Sequence, residues 1–381
     1  MTSIKTIFTT GCLWPAGLLL GGLALYGLSN ALGAHFAGRG DCDRSAGCLY
    51  AVGGGSRRVR VIGFSADGDR MLARADRNTR IHDASNGRVL QRLNLGDGPW
   101  QYSVTGDRRQ IVASRKDLVK VLNWDGQVQH RWAPAADTSL RAVAMLPILN
   151  GFFVADSEGL AVHHHNGDLV TRIPVEGGFL EVTATPTGEH IAAYDFVDDV
   201  LNVWPLQRLS AGIRIPNVVA APHSVHLSAD GALVAAGGEP GAYVWQTKDG
   251  QVVLAVEATD AAVTAAALSQ DGRQLATGFE DGTVKVFDVA TQTPIQRLDH
   301  RRVPRNLRFD EGGERLAVEL ERSVRVSGGE RIILSRQDRD RETNRPTPIL
   351  RQSDNRISTS PGYALVWTLT PPSRPERTPA Q

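Results

Sequence analysis

Short apolar runs alternate with polar turns at a tight spacing between residues 263 and 298. Val263 to Leu268 ends in Ser269-Gln270-Asp271-Gly272. Gln274 to Thr277 and Val284 to Val289 then flank Glu280-Asp281-Gly282, and Thr293 to Leu298 follows. An acidic residue followed by glycine permits the positive backbone angles of a tight reversal, so the middle pair predicts a hairpin. The whole stretch predicts four antiparallel strands in about forty residues. A sheet this small cannot bury both faces alone and needs neighbours to stack on.

The same pattern recurs along the chain. A β-branched residue precedes an aromatic or histidine at Ile81-His82, Val162-His163, Val203-Trp204, Val244-Trp245, Val286-Phe287 and Val366-Trp367, with looser copies at Val121 and Val326. Successive anchors are 40, 41, 41, 41, 42, 40 and 40 residues apart. A second ladder marks the turn after each first strand: Phe64-Ser65-Ala66-Asp67-Gly68, Val104-Thr105-Gly106-Asp107, Thr185-Pro186-Thr187-Gly188, Leu227-Ser228-Ala229-Asp230-Gly231, Leu268-Ser269-Gln270-Asp271-Gly272 and Phe309-Asp310-Glu311-Gly312.

On these two ladders, residues 59 to about 335, and more loosely to 369, resemble WD repeats, the four-stranded units of a β-propeller. Gly-His pairs before the first strands are missing and Trp-Asp occurs only at Trp124-Asp125, so packing is expected to carry most of the stability. The ladder predicts an all-β propeller of eight blades, with seven as the alternative. Ile349-Leu350-Arg351, Asp354-Asn355, Arg356 to Thr359 and Tyr363 to Leu369 read as strand, turn, strand and strand of a last blade without an outer edge. Cys48 to Val52, "CLYAV", precedes the first repeat and supplies that edge, a closure of the two chain ends that the resemblance implies. The propeller is then expected over residues 48–370, followed by a disordered proline-rich tail at 371–381.

Composition changes this picture at one end only. Formal net charge is +1, with 42 Lys and Arg against 41 Asp and Glu, which gives no electrostatic case for nucleic acid. From Thr6 to Ala34 there is no charged residue. A run that long crosses a hydrocarbon core of ~30 Å, so residues 1–35 are expected to form a transmembrane helix, with 7–34 in the membrane and 36–47 as a linker. The alternative is a cleaved secretory signal ending near Ala31-Leu32-Gly33. Lys5 precedes the run and residues of mixed sign follow it, placing the N-terminus inside and the propeller on the periplasmic or exported side of the cytoplasmic membrane. Cys42 and Cys48 flank a short polar stretch beyond the run and are candidates for a disulfide in an oxidising compartment.

Candidate chemistry is sparse. His163-His164-His165 has metal-ligand residue types, but neighbours on a strand point to opposite faces, and His163 occupies the aromatic anchor slot. Asp195, Asp198 and Asp199 read as a solvated hairpin turn. There is no Cys-X-X-Cys-His for haem attachment, no paired nucleophile and base, and no small-molecule site legible in the sequence, so no cofactor or metal is expected. The densest basic stretch is "RLDHRRVPRNLR", from which Arg301, Arg302 and Arg305 are expected to meet a partner's carboxylate or phosphate. The resulting expectation is a non-enzymatic, membrane-tethered platform for protein partners. The alternative is a propeller enzyme or redox protein in the same compartment.

Overall fold

A computed structural model describes residue 42 and residues 47–53, 59–75, 78–96, 98–134, 139–173, 179–216, 225–238, 240–321, 323–326, 331–332, 357–360 and 363–369. The expected membrane segment, most of the linker and the proline-rich tail lie outside the described residues. No helix among the described residues is long and apolar enough to cross a membrane.

Seven four-stranded antiparallel sheets form the blades of a propeller. Six take their strands in chain order, over residues 59–93, 101–132, 142–173, 179–216, 225–257 and 263–299. Blade 7 is composite. Its inner strands are Pro304–Phe309 and Arg315–Leu320, its third is Tyr363–Thr368, and its outer strand is Cys48–Gly53 from the other end of the chain. Contacts between neighbouring blades run through all seven pairs, including the inner strand of blade 1 against that of blade 7, so the ring is closed.

This corrects the expected count of eight. Arg315–Leu320 pairs directly with Tyr363–Thr368, Leu316 opposite Trp367 and Leu320 opposite Tyr363. The strand containing Val326 (Ser323–Val326) pairs instead with Ile357–Ser360 and Arg331–Ile332 in a separate three-stranded sheet. Residues 321–362 are therefore an insertion between the second and third strands of blade 7. Its length is close to one repeat, so it kept the anchors in register and mimicked a further blade. Trp367, not Val326, is the anchor of blade 7.

Packing between blades depends on small residues. All six residues of Val263–Leu268 and all six of Gln274–Phe279 are buried, four of them alanine. A Cβ on Gly237 would stand 2.4 Å from the Cβ of Ala266 in the next blade. The turn ladder also has a physical cause. Ser228 Oγ donates to Asp230 Oδ1 at 2.6 Å and accepts from Leu233 N at 2.9 Å, and Ser269 does the same with Asp271 and Gln274 at 2.6 and 2.9 Å. Thr105 repeats the motif with Asp107 and Gln110, and Ser65 with Asp67 and Arg70. In blade 7 the carboxylate of Asp310 replaces the hydroxyl, accepting from Arg315 N at 3.0 Å. These local side-chain bonds satisfy turn backbone groups that strand pairing leaves open.

The seam between blades 7 and 1 carries specific links. Asn306 Nδ2 donates to Val61 O at 3.1 Å, and Arg315 Nη1 reaches Gly68 O at 3.0 Å and Ala84 O at 3.1 Å. Tyr50 of the closing strand donates its hydroxyl to Ala84 O at 2.9 Å. Its ring covers Gly87, where a Cβ would stand 2.6 Å from Tyr50 Cδ2 and where φ is +76°. Trp132, on the outer strand of blade 2, covers Gly167 of blade 3 in the same way. Tyr50 thus does for the closing strand what a regular outer-strand side chain does elsewhere.

Candidate functional site

The inner strands of the blades surround a central cavity of about 330 Å³. The inner strands contribute small residues such as Ser103, Ala142, Ala144 and Ala184 beside larger ones such as Phe64, Tyr102, Met145 and Phe309. Among the described residues, the charged side chains that line it are Arg60 of blade 1, Arg108 of blade 2 and Arg308 of blade 7, with His226 of blade 5 beside them. Arg108 sits in the turn after its inner strand with φ at +54°, which aims it across the axis, and its Nη1 donates to Phe309 O at 3.2 Å. Gln270 Nε2 of blade 6 donates to Gly106 O of blade 2 at 3.3 Å, and a Cβ on Gly106 would stand 2.6 Å from Thr185 O of blade 4. Turns from opposite sides of the ring therefore meet over the axis and pack this end of the channel.

Arg308 and His226 form the charged floor. Arg308 Nη1 lies 3.2 Å from His226 Nε2, so the guanidinium donates to a neutral imidazole. Burial, then the positive charges of Arg308 and Arg108, push the His226 pKa down to about 3. Burial also lowers the pKa of Arg108, opposed by Glu311 and Asp310 on its rim side. The unfolded chain takes up a proton on His226 below its ordinary value of about 6.5, whereas the folded protein resists until about 3. Stability from this group is therefore complete above about 6.5 and is lost as pH falls through that window. Replacing His226 by Gln should flatten part of the acid limb. The difference in Tm between wild type and H226Q, followed from pH 7 to pH 4.5, is expected to move against the wild type.

The sequence-predicted arginines lie elsewhere, at the connection from blade 6 to blade 7. Arg301 is exposed there. The Arg302 guanidinium lies over the Tyr363 ring, 4.6 Å from its centroid, with Nη1 3.5 Å from Glu321 O. Arg305 Nη2 pairs with Glu321 Oε2 at 2.8 Å. Two of the three therefore brace the residue from which the insertion departs, and Arg301 is the one whose side chain is presented outward. Phe196 and Val197, 45% and 66% exposed, lie at a hairpin turn of blade 4 on the same rim.

His163 packs its ring 5.0 Å from that of Trp132, with Nδ1 3.0 Å from Gly167 O; His164 and His165 face the loop at Leu149 and Asn150. Asp195 accepts from Val197 N at 2.9 Å, Asp199 accepts from the Tyr194 hydroxyl, and Asp198 faces Arg214 at 3.8 Å. Among the described residues no three His, Cys, Asp or Glu side chains converge as metal ligands. Cys42 and Cys48 are joined by a disulfide at the start of the closing strand.

Residues 249–288 match the family described as WD domain, G-beta repeat. The match begins ahead of the outer strand of blade 5 and ends with the third strand of blade 6. A repeat so framed gives its first strand to one blade and the rest to the next, the same offset that leaves Cys48–Gly53 to finish blade 7. The structure is similar to the C-terminal WD40 domain of Sif2, at 15% identity and a TM-score of 0.51 over 68% of this chain and 78% of that one. It is also similar to the β-propeller domain of Cps50 (Swd1) from Myceliophteria thermophila, at 12% identity and a TM-score of 0.60 over 85% of this chain and 99% of that one. At these identities the likeness is one of fold alone. A search of curated proteins gave no match.

Arg60, Arg108, Arg308 and His226 were not singled out by the sequence. For Arg60 and Arg308 the signal was a polar residue between buried apolar ones on a first strand, as with Arg308 between Leu307 and Phe309; Arg108, in a turn, carried none. Identifying that strand as the one lining the axis requires the ring itself.

Proposed function

We propose that this chain is a non-enzymatic platform for protein partners, tethered to a membrane through residues 7–34 with its propeller on the exported side. The observation that carries the reading is the closed ring with a WD-type repeat, because WD40 propellers generally mediate protein–protein interaction through their rims. The Cys42–Cys48 bond, set between the apolar run and the closing strand, supports an oxidising compartment. Fold alone does not choose the partner. Arg301, with Phe196 and Val197 on the same rim, offers a cation beside apolar surface, the combination enriched at binding hot spots.

The test is a gentle detergent extraction of the full-length protein from native membranes, with mass spectrometry of what accompanies it. A stoichiometric partner is expected, and it should be lost from Arg301→Ala. Recovery of the protein alone, or in the soluble fraction, would overturn the reading. Thiol labelling of the denatured chain separately checks compartment. Of three cysteines, one is expected to react before reduction and all three after it. Full labelling without reductant contradicts export.

A further inference from the structure

We propose that the outer edge of blades 7, 1, 2 and 3 rests on an anionic lipid surface, with aliphatic side chains at the acyl boundary and Arg92 and Arg131 on lipid phosphates. The inference rests on the tethered reading above and adds which side of the propeller meets the bilayer.

Position along the strands is the first observation. In an antiparallel blade the outer strand starts at the end where the first strand turns into the second. At that end Leu49 is exposed in blade 7, Val89 and Leu90 in blade 1, Val128 in blade 2, and Leu169 and Val170 in blade 3. Each occupies one of the first two places of its strand, Cys48–Gly53, Val89–Leu93, Val128–Trp132 or Leu169–Ile173. Ile148, in the turn after the first strand of blade 3, is 50% exposed at the same end. Blade 4 begins its outer strand with a half-buried Ile213, and blade 6 with Thr293 and Pro294. Single exposed aliphatics are ordinary, but a run of them across four consecutive blades marks a contact surface.

Charge is the second. The outer strands of these four blades contain no Asp or Glu, and those of blades 1 to 3 carry Arg92, Arg131 and Arg172 in fourth place. Arg172 is paired with Asp156 and Glu158. Arg92 and Arg131 are exposed and each stands opposite another cation, Arg92 opposite Arg80 and Arg131 opposite Lys120. Like charges directly opposite cost stability, and an anionic surface relieves that cost. Three residues along a strand correspond to roughly 10 Å, comparable with the depth of a headgroup layer. Aliphatics at the acyl boundary thus put the guanidinium groups at phosphate level, as in helices that lie in the interface. The outward carboxylates of this end are engaged within the protein: Asp125 pairs with Arg70 at 2.7 Å, Asp83 accepts from Ser85 and Asp168 from Asn166.

The tether is the third. The closing strand enters at this same end, where Thr368 N donates to Gly47 O at 2.8 Å and Cys48 is bonded to Cys42. Eight steps of chain separate Cys42 from Ala34, the end of the apolar run, and span at most about 30 Å. Blade 7 is therefore held close to the bilayer by its tethered end. Phe196, Val197 and Arg301 lie at the opposite end, which this seating turns away from the membrane and leaves open to a partner.

The test is lipid quenching of a nitrobenzoxadiazole label in the full-length Cys12→Ser protein, reconstituted into vesicles of phosphatidylcholine and phosphatidylglycerol. The label is placed singly at Leu90→Cys, Leu169→Cys or Phe196→Cys, and the quencher is a nitroxide on the lipid acyl chain. Labels at 90 and 169 are expected to be quenched about threefold or more, and the label at 196 to stay unquenched. Arg92→Glu with Arg131→Glu should lower the quenching at 169 by about half. Arc labels left unquenched, or quenched no more than 196, or indifferent to the charge reversal, would overturn the proposal while the protein stays in the vesicles and the tethered reading stands. Arc labels shielded from lipid but in contact between copies would overturn it in favour of a dimer. Protein that fails to enter vesicles at all would overturn the tethered reading, and this inference with it.

Discussion

Deleting residues 48–53 from the full chain is expected to abolish the stable propeller, although only six residues are lost. The strand pairs with Tyr363–Thr368 from Cys48 opposite Trp367 to Gly53 opposite Tyr363. Tyr50 and Val52 are 8% and 5% exposed, and burial of each side chain contributes about 1.5–3 kcal/mol. Removing Tyr50 also takes one of two donors from Ala84 O, leaving Arg315, and uncovers Gly87. With the ladder bonds, the loss is expected to exceed about 5 kcal/mol, comparable with the whole stability of many domains. The third strand of blade 7, which carries Val366 and Trp367, would become an open edge, so aggregation should accompany unfolding. Thermal unfolding and static light scattering check both effects. A milder version, Tyr50→Phe, keeps the ring but loses the hydroxyl bond, and about 1 kcal/mol is expected from it.

The second large effect is expected at Trp367→Ala. This side chain is 2% exposed, and its ring meets that of His300 edge to face at 5.3 Å. It packs with Leu316, Leu365 and Leu369 in the cluster joining blades 6 and 7. Truncating a buried tryptophan leaves a cavity that rigid neighbouring strands cannot fill, at a cost of about 3–5 kcal/mol. Chemical denaturation should show a lower midpoint with an unchanged slope, since the ring stays closed.

These two sites show how far the sequence could be read. The strand period was legible because in six of the seven blades the turn after the first strand repeats one local chemistry, a hydroxyl or carboxylate bonding the turn that follows it, and local chemistry leaves a local trace. Closure by "CLYAV" was legible because the last third strand, with its Val366-Trp367 anchor, had no outer edge after it. The blade count was misread because pairing partners are set by hydrogen bonds across space. An insertion of nearly one repeat preserved the spacing, and the only warning was that Val326 is followed by Ser327 and not by an aromatic. The basic stretch near residue 300 was legible as charge but not as geometry. Arg302 and Arg305 face Tyr363 and Glu321, which the pairing of the second and third strands of blade 7 brings together from the two sides of the insertion. Arg308, from the same stretch, instead enters the channel beside a histidine 82 residues away in the chain.

Seven blades closed by the N-terminal strand is the claim on which the channel, the rim and the seam all rest. Its most direct test is the unfolding of the full chain in which residues 327–356 are replaced by a short Gly-Ser linker, measured beside the deletion of 48–53. If the insertion lies outside the ring, the linker variant unfolds in one cooperative transition within a few degrees of the parent, while the strand deletion does not. A linker variant that unfolds in separate steps, or aggregates as the strand deletion does, would mean that the replaced residues belong to a blade.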